Sequence, residues 1–168
     1  MTRLRASGFR SQRRRPAFSR VSYSEAVEVV LCYGWIDGQK RSADEGAWLQ
    51  RFTPRTKNSI WSKINRQKAL ELVKLGRMKP AGLKEIDRAR NDGRWEAAYD
   101  SPRGVTAPSD FQAALDGNAR AKAFFDALDR GNRYAILFRI QTVRRADTRA
   151  KRIQQFISML ENHEKIHP

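Results

Sequence analysis

The sequence predicts an α+β protein, with a small antiparallel sheet near the N-terminus and a helical C-terminal part. Two short stretches with strand-type alternation, Trp35–Lys40 and Ala47–Thr53, lie between segments of helical period. From Pro108 onward the apolar residues repeat only at helical spacing. A length of 168 residues and an apolar fraction of 40% supply enough surface for a core without disulfide or metal staples.

Residues 1–20 show neither period and read as an irregular, arginine-rich leader. At Ser22 the pattern changes. Ser22 with Glu25 forms a capping box, which predicts a helix over Tyr23–Tyr33 burying Ala26, Val27, Val30 and Leu31, with Gly34 as its terminator. The two strands follow, joined by a polar loop over Arg41–Gly46, and Pro54 closes the second. On the two-residue period Trp35, Asp37 and Gln39 share one face while Ile36 and Lys40 share the other. Likewise Trp48, Gln50 and Phe52 alternate with Leu49, Arg51 and Thr53.

Asn58 is read as the N-cap of a helix over Ser59–Leu75 with the apolar stripe Ile60, Trp61, Ile64, Leu72 and Leu75. Pro80 opens another helix that stops near Asp92-Gly93. Arg94–Pro108 reads as an irregular crossing anchored by Trp95 and Tyr99. Four helices then follow, with Asn118 and Asp147 as caps. The organisation expected is a leader (1–20) and one domain (21–168), whose halves are a helix-hairpin-helix segment (21–75) and a helical segment (80–168).

Of the formal net charge of +16, the leader's seven arginines and lack of acids account for +7, leaving +9 on the other 148 residues. Such a balance points to anionic partners, nucleic acid among them. The single cysteine, Cys32, lies in an apolar run and fits a reducing, cytoplasmic setting. No apolar stretch reaches the roughly 20 residues that would span a bilayer.

The familiar catalytic arrangements are missing: there is no glycine-rich phosphate loop, no GxSxG elbow and no HExxH. The only histidines, His163 and His167, sit at the C-terminus, where the spacing to Pro168 reads as a frayed tail without a third metal ligand. No cofactor, metal site or catalytic residue is expected, and the chain reads as a non-enzyme. Asp37 is the most interesting carboxylate. It could be the polar group of a pocket lined by Trp35 and Trp48, or more ordinarily the partner of Arg51 or Arg55 across the hairpin. A second constellation interleaves Arg51, Arg55, Lys57 and Lys63 with Trp48, Phe52 and Trp61, a mixture able to contact phosphates and stack on bases, although such aromatics are more often core. Arg139, Arg144, Arg145, Arg149, Lys151 and Arg152 form another basic run, ordinarily a solvated helix face.

Several linked motifs resemble one bacterial family. They are Leu31-Cys-Tyr-Gly-Trp-Ile-Asp-Gly-Gln-Lys40, Trp48-Leu-Gln-Arg-Phe-Thr-Pro-Arg55, Ser59-Ile-Trp-Ser-Lys-Ile-Asn65, Asp92-Gly-Arg-Trp95 and Asn132-Arg-Tyr134. Together with the final Glu164-Lys-Ile-His-Pro168 they resemble the YdeI/OmpD-associated proteins, linked to bacteriocin protection, over about residues 21–168. The resemblance implies a cytoplasmic protein with a small sheet of the YjbR/CyaY-like kind and a helical C-terminal part. It implies no defined reaction. Relatives carry an apolar strand where this chain has Ser7–Pro16, a departure that a frameshifted or wrongly started leader would produce and that the coding DNA would decide.

The expectation is therefore a stress-tolerance or bacteriocin-protection protein that binds an anionic ligand or a protein partner. Arg51 and Arg55 would bind, Trp35, Trp48 and Trp61 would shape the site, and Asp37 would sit within it. The alternatives are a nucleic-acid-binding protein using its basic surface and, more weakly, an enzyme using Asp37.

Overall fold

Helix α1 (Tyr23–Cys32) begins where its capping box places it. Ser22 Oγ accepts from the Glu25 amide at 3.2 Å, and the Glu25 carboxylate accepts from the Ser22 amide at 2.7 Å. Two otherwise orphaned donors are thereby met. The computed structural model of the chain describes residues 8–12, 21–44 and 47–168. Within them it shows an α+β fold that divides into two compact units, Met1–Glu96 and Ala97–Pro168. The division falls after the helix at Pro80, not before it.

The first unit holds an antiparallel sheet of three strands, β1 (Gly8–Gln12), β2 (Trp35–Asp44) and β3 (Ala47–Pro54), in the order β1-β3-β2. Two corrections to the sequence reading follow. Residues 8–12, read as irregular, pair in register with β3 from Gly8↔Arg51 to Gln12↔Ala47. Ladder bonds between backbones form without any particular side-chain alternation, so the strand left no period to read. Strand β2 also continues to Asp44, through most of the predicted loop. The remainder of the leader and Glu45-Gly46 lie outside the described residues.

A β-bulge separates the pairs Asp37↔Phe52 and Lys40↔Gln50, so Gly38 and Gln39 together oppose Arg51. This extra residue shifts the phase of everything after it. Lys40, expected on the face of Ile36, joins Trp35 and Asp37 instead. The buried Gln50 closes the bulge by donating its amide to the carbonyls of Gly38 (2.9 Å) and Arg51 (3.2 Å), which offsets the cost of burying it.

Helix α1 covers one face of the sheet with Ala26, Val27 and Leu31 inward, and Gly34 ends it at φ 74°. The next helix, α2, is Lys63–Lys74 with Ser62 as its cap, not Ser59–Leu75 capped by Asn58. Thr56 and Ser59 use their hydroxyls and backbones to close a turn instead: the Thr56 amide donates to Ser59 Oγ at 2.9 Å and the Ser59 amide to the Thr56 carbonyl at 3.1 Å. The stripe shifts accordingly. Ala69 and Leu72 are buried, whereas Ile64 and Leu75 are exposed. Helix α3 (Pro80–Asn91) packs closely on the end of α1, where a Cβ at Gly82 would run into the Cys32 carbonyl and Met78 Sδ.

The second unit comprises helices α4 (Ser109–Asp116), α5 (Ala119–Ala127), α6 (Arg130–Gln141) and α7 (Ala146–Glu161). Its core includes Phe111, Leu115, Phe125, Ile136, Ile140 and Leu160. Asn118 caps α5 as expected; α7 is capped from Arg145, with Asp147 in its first turn. The C-terminal tail is docked where fraying was expected. Buried Asn132 accepts from the amides of Ile166 (3.1 Å) and His167 (2.9 Å) and donates to the His167 carbonyl (3.2 Å). His163, at φ 59°, stacks on Phe124 at 4.8 Å, so the two histidines share no helix face.

Candidate functional site

The sheet places the six residues read from the sequence in three different settings. On the face covered by α1, Asp37 accepts a hydrogen bond of 2.7 Å from the Tyr23 hydroxyl. The Tyr23 ring packs on Trp48 with centroids 5.6 Å apart, and Lys40 Nζ lies 4.3 Å from the centre of the Trp48 ring. Trp35, half-buried, pairs with Pro54 at the end of this face. Asp37 therefore has neither of the partners expected. Arg51 stands on the opposite face, and the phenol of a helix residue takes the place of a cross-strand arginine.

Arg55 and Trp61 are interior. Arg55 is 5% exposed and Trp61 2%. The Arg55 guanidinium carbon lies 3.5 Å from the centre of the Trp61 ring, and its Nη1 donates to the Ile60 carbonyl at 3.2 Å. Trp61 meets Trp95 edge to face at 4.9 Å, and Arg90 lies over Trp95 at 5.3 Å. Buried Arg94 pairs with Asp92 at 2.7 Å and donates to the Ser59 carbonyl. Two guanidinium groups thus satisfy consecutive carbonyls of the irregular 59–60 segment, where no helix supplies donors. Desolvated cation–π contacts of this sort contribute about 2 kcal/mol. Arg55 and Trp61 hold the loop and do not meet a ligand at the surface, which corrects the direct roles read for them.

Arg51 is the exception. It lies exposed on the open face of the sheet beside half-buried Leu49 and Thr53. Across β2, Arg41 stands in register with Leu49 on the same face, also exposed. Neither arginine has a carboxylate within ion-pair distance among the described residues. Sequence reasoning missed Arg41 because it assigned the residue to a loop; only the continuation of β2 past the bulge brings it beside Leu49. Gly46, the one tight-turn residue of that stretch, is the signal that could have found it.

The basic-aromatic interleaving of β3 is resolved by its alternation. Trp48 and Phe52 go to the α1 side, and Arg51 goes to the open side. The cations and the aromatics of β3 therefore form no common surface. In the second unit Arg149 is engaged in a two-oxygen pair with Asp110 at 2.6 and 2.9 Å, and Arg145 with Asp147. Cys32 is buried, and that burial pushes its thiol above the ordinary range, away from reactivity. Among the described residues no group of three or more His, Cys, Asp or Glu is placed to hold a metal ion, and no helix is long and apolar enough to cross a membrane.

Two family models match the chain, one in each unit. Residues 9–85, from β1 into α3, match a domain of unknown function, DUF8412. That match begins inside the arginine-rich leader. No curated protein and no solved structure matches the chain. Residues 105–163, which contain α4 to α7 and the Asn132-Arg-Tyr134 motif, match the family to which the sequence motifs pointed, described as Bacteriocin-protection, YdeI or OmpD-Associated.

Proposed function

We propose that the chain is a cytoplasmic bacteriocin-protection or stress-tolerance protein that acts by binding an anionic ligand or partner on the open face of its sheet. The family match over residues 105–163 supports the protective role. One observation carries the site: Arg41 and Arg51 flank Leu49 on one exposed face with no carboxylate neutralising them among the described residues. Like charges on neighbouring strands repel, and an anion bound between them removes that cost. Trp35, Trp48 and Asp37 shape the opposite face and set the strand geometry that presents the arginines.

The test is survival of bacteria expressing the chain when challenged with a bacteriocin. Arg41→Ala/Arg51→Ala should abolish protection while leaving the far-UV circular dichroism unchanged, because both side chains are exposed. Undiminished protection by that folded double variant would overturn the reading.

A further inference from the structure

We propose that the anion taken by the open face is the phosphate backbone of a nucleic-acid duplex, gripped by three arginines of which each strand contributes one: Arg10, Arg41 and Arg51. This rests on the open-face reading above and names its ligand. The register supplies the arrangement. Leu49 of β3 pairs with Arg10 of β1 on one side and with Arg41 of β2 on the other, so the three residues form one row across the sheet. With strands about 4.8 Å apart, the backbones of Arg10 and Arg41 stand about 10 Å from each other, and Arg51 lies about 7 Å along β3 from the row.

The chemistry of this triangle selects the ligand. Arginine's planar fork binds phosphate through two hydrogen bonds at once, where lysine offers a point charge. Three positions spread over about 10 Å exceed what one free phosphate can bridge, whereas a duplex presents a charge every ~1.7 Å of its axis. The described residues beside the arginines on this face, Ile36, Leu49 and Thr53, offer no aromatic ring and no carboxylate. Unpaired bases therefore find nothing to stack on, and the aromatic residues of β3 lie on the other side of the sheet. A surface that meets phosphates and reads no base edge binds duplexes of any sequence.

The experiment is fluorescence anisotropy of the full chain with a labelled duplex of about 20 base pairs, titrated between about 50 and about 200 mM NaCl. Three phosphate contacts make log K fall with a slope of about −2.7 against log salt from this site, roughly a 40-fold loss over that range. The variant with Arg10, Arg41 and Arg51 all replaced by alanine should lose that share of the slope, each single replacement about 0.9 of it. Arg120→Ala, an exposed cation of α5, should alter neither slope nor affinity. Arg→Lys at the three positions should keep the slope and weaken binding severalfold, showing that the guanidinium fork and not merely charge is used.

An unaltered slope in the triple variant, or tighter binding of the single strand than of the duplex, would sink the proposal. So would salt-dependent capture of poly-glutamate with no duplex binding, which would point to an acidic protein instead. Lost protection in Arg41→Ala/Arg51→Ala without duplex binding removes the ligand and leaves the open-face reading standing. Duplex binding that survives with protection untouched by the double variant does the reverse.

Discussion

In residues 97–168 the large apolar side chains turn inward and the arginines lie at the surface or bridge to carboxylates. In residues 1–96 nine large apolar side chains, among them Val29, Tyr33, Ile64 and Leu75, stand more than a third exposed, while Gln50, Arg55 and Arg94 are buried. The second unit obeys the helical burial code, so its sequence can be read directly. The first is held by a short sheet and by arginine–tryptophan stacks, whose members come from loops that no periodicity marks. Units that differ this way should respond differently to the same perturbation.

The largest contrast should come from Trp61→Ala. Emptying a fully buried indole site and removing the surface under Arg55 should cost the first unit about 3–5 kcal/mol. All four tryptophans lie in residues 1–96, so indole fluorescence during urea unfolding follows that unit alone, while circular dichroism follows the helices of both. The fluorescence transition should move to lower urea, with a second dichroism transition left in place. If the two move together, the units unfold as one and the contrast is broken.

A smaller effect in the opposite direction is expected from Asn132→Ala. Leaving the buried amides of Ile166 and His167 without their acceptor should cost the second unit about 2 kcal/mol and speed limited proteolysis after His163. The fluorescence transition should stay where it was. Unchanged proteolysis would mean that Ile166 packing alone docks the tail.

The smallest contrast is with acid. Hydrogen bonds from Arg149 hold Asp110 below the ordinary carboxylate range, and Lys122, Asn132 and the Thr148 amide do the same for Asp116, Asp129 and Asp147. A folded value below the unfolded one stabilises fully above the unfolded carboxylate pKa of about 4 and ceases to do so as pH falls through the folded values. In the first unit the corresponding case is Glu25, lowered by Ser22. Thermal melts from about pH 5 downward should therefore show the helical signal losing more than the indole signal; the reverse order would contradict the assignment of these pairs.

Much of this fold was legible. The Ser22–Glu25 box, the Gly34 terminator, the Asn118 cap and the apolar face of α7 are local devices, and local devices are written in adjacent residues. The site was legible only in part. Arg51 was found because strand alternation exposes it, but Arg55 and Trp61 looked like its companions merely by being near it in the chain. Arg41 was hidden by a bulge that no residue pair announces, and β1 by an arginine-rich composition that resembles a tail.

The sequence by itself therefore determined the α+β class, the helix ends, the split between a sheet-bearing and a helical half and the family of residues 105–163. Short-range hydrogen bonding and apolar spacing decide those features, and both are properties of neighbouring residues. Tertiary structure alone decided which cations are free. Burying Arg55 and Arg94 against tryptophan and loop carbonyls, and setting Arg10 and Arg41 on either side of Leu49, depend on pairing between segments distant in the chain. The physical reason is that strand register is fixed by backbone bonds across the sheet, and those bonds leave no mark in either strand read alone.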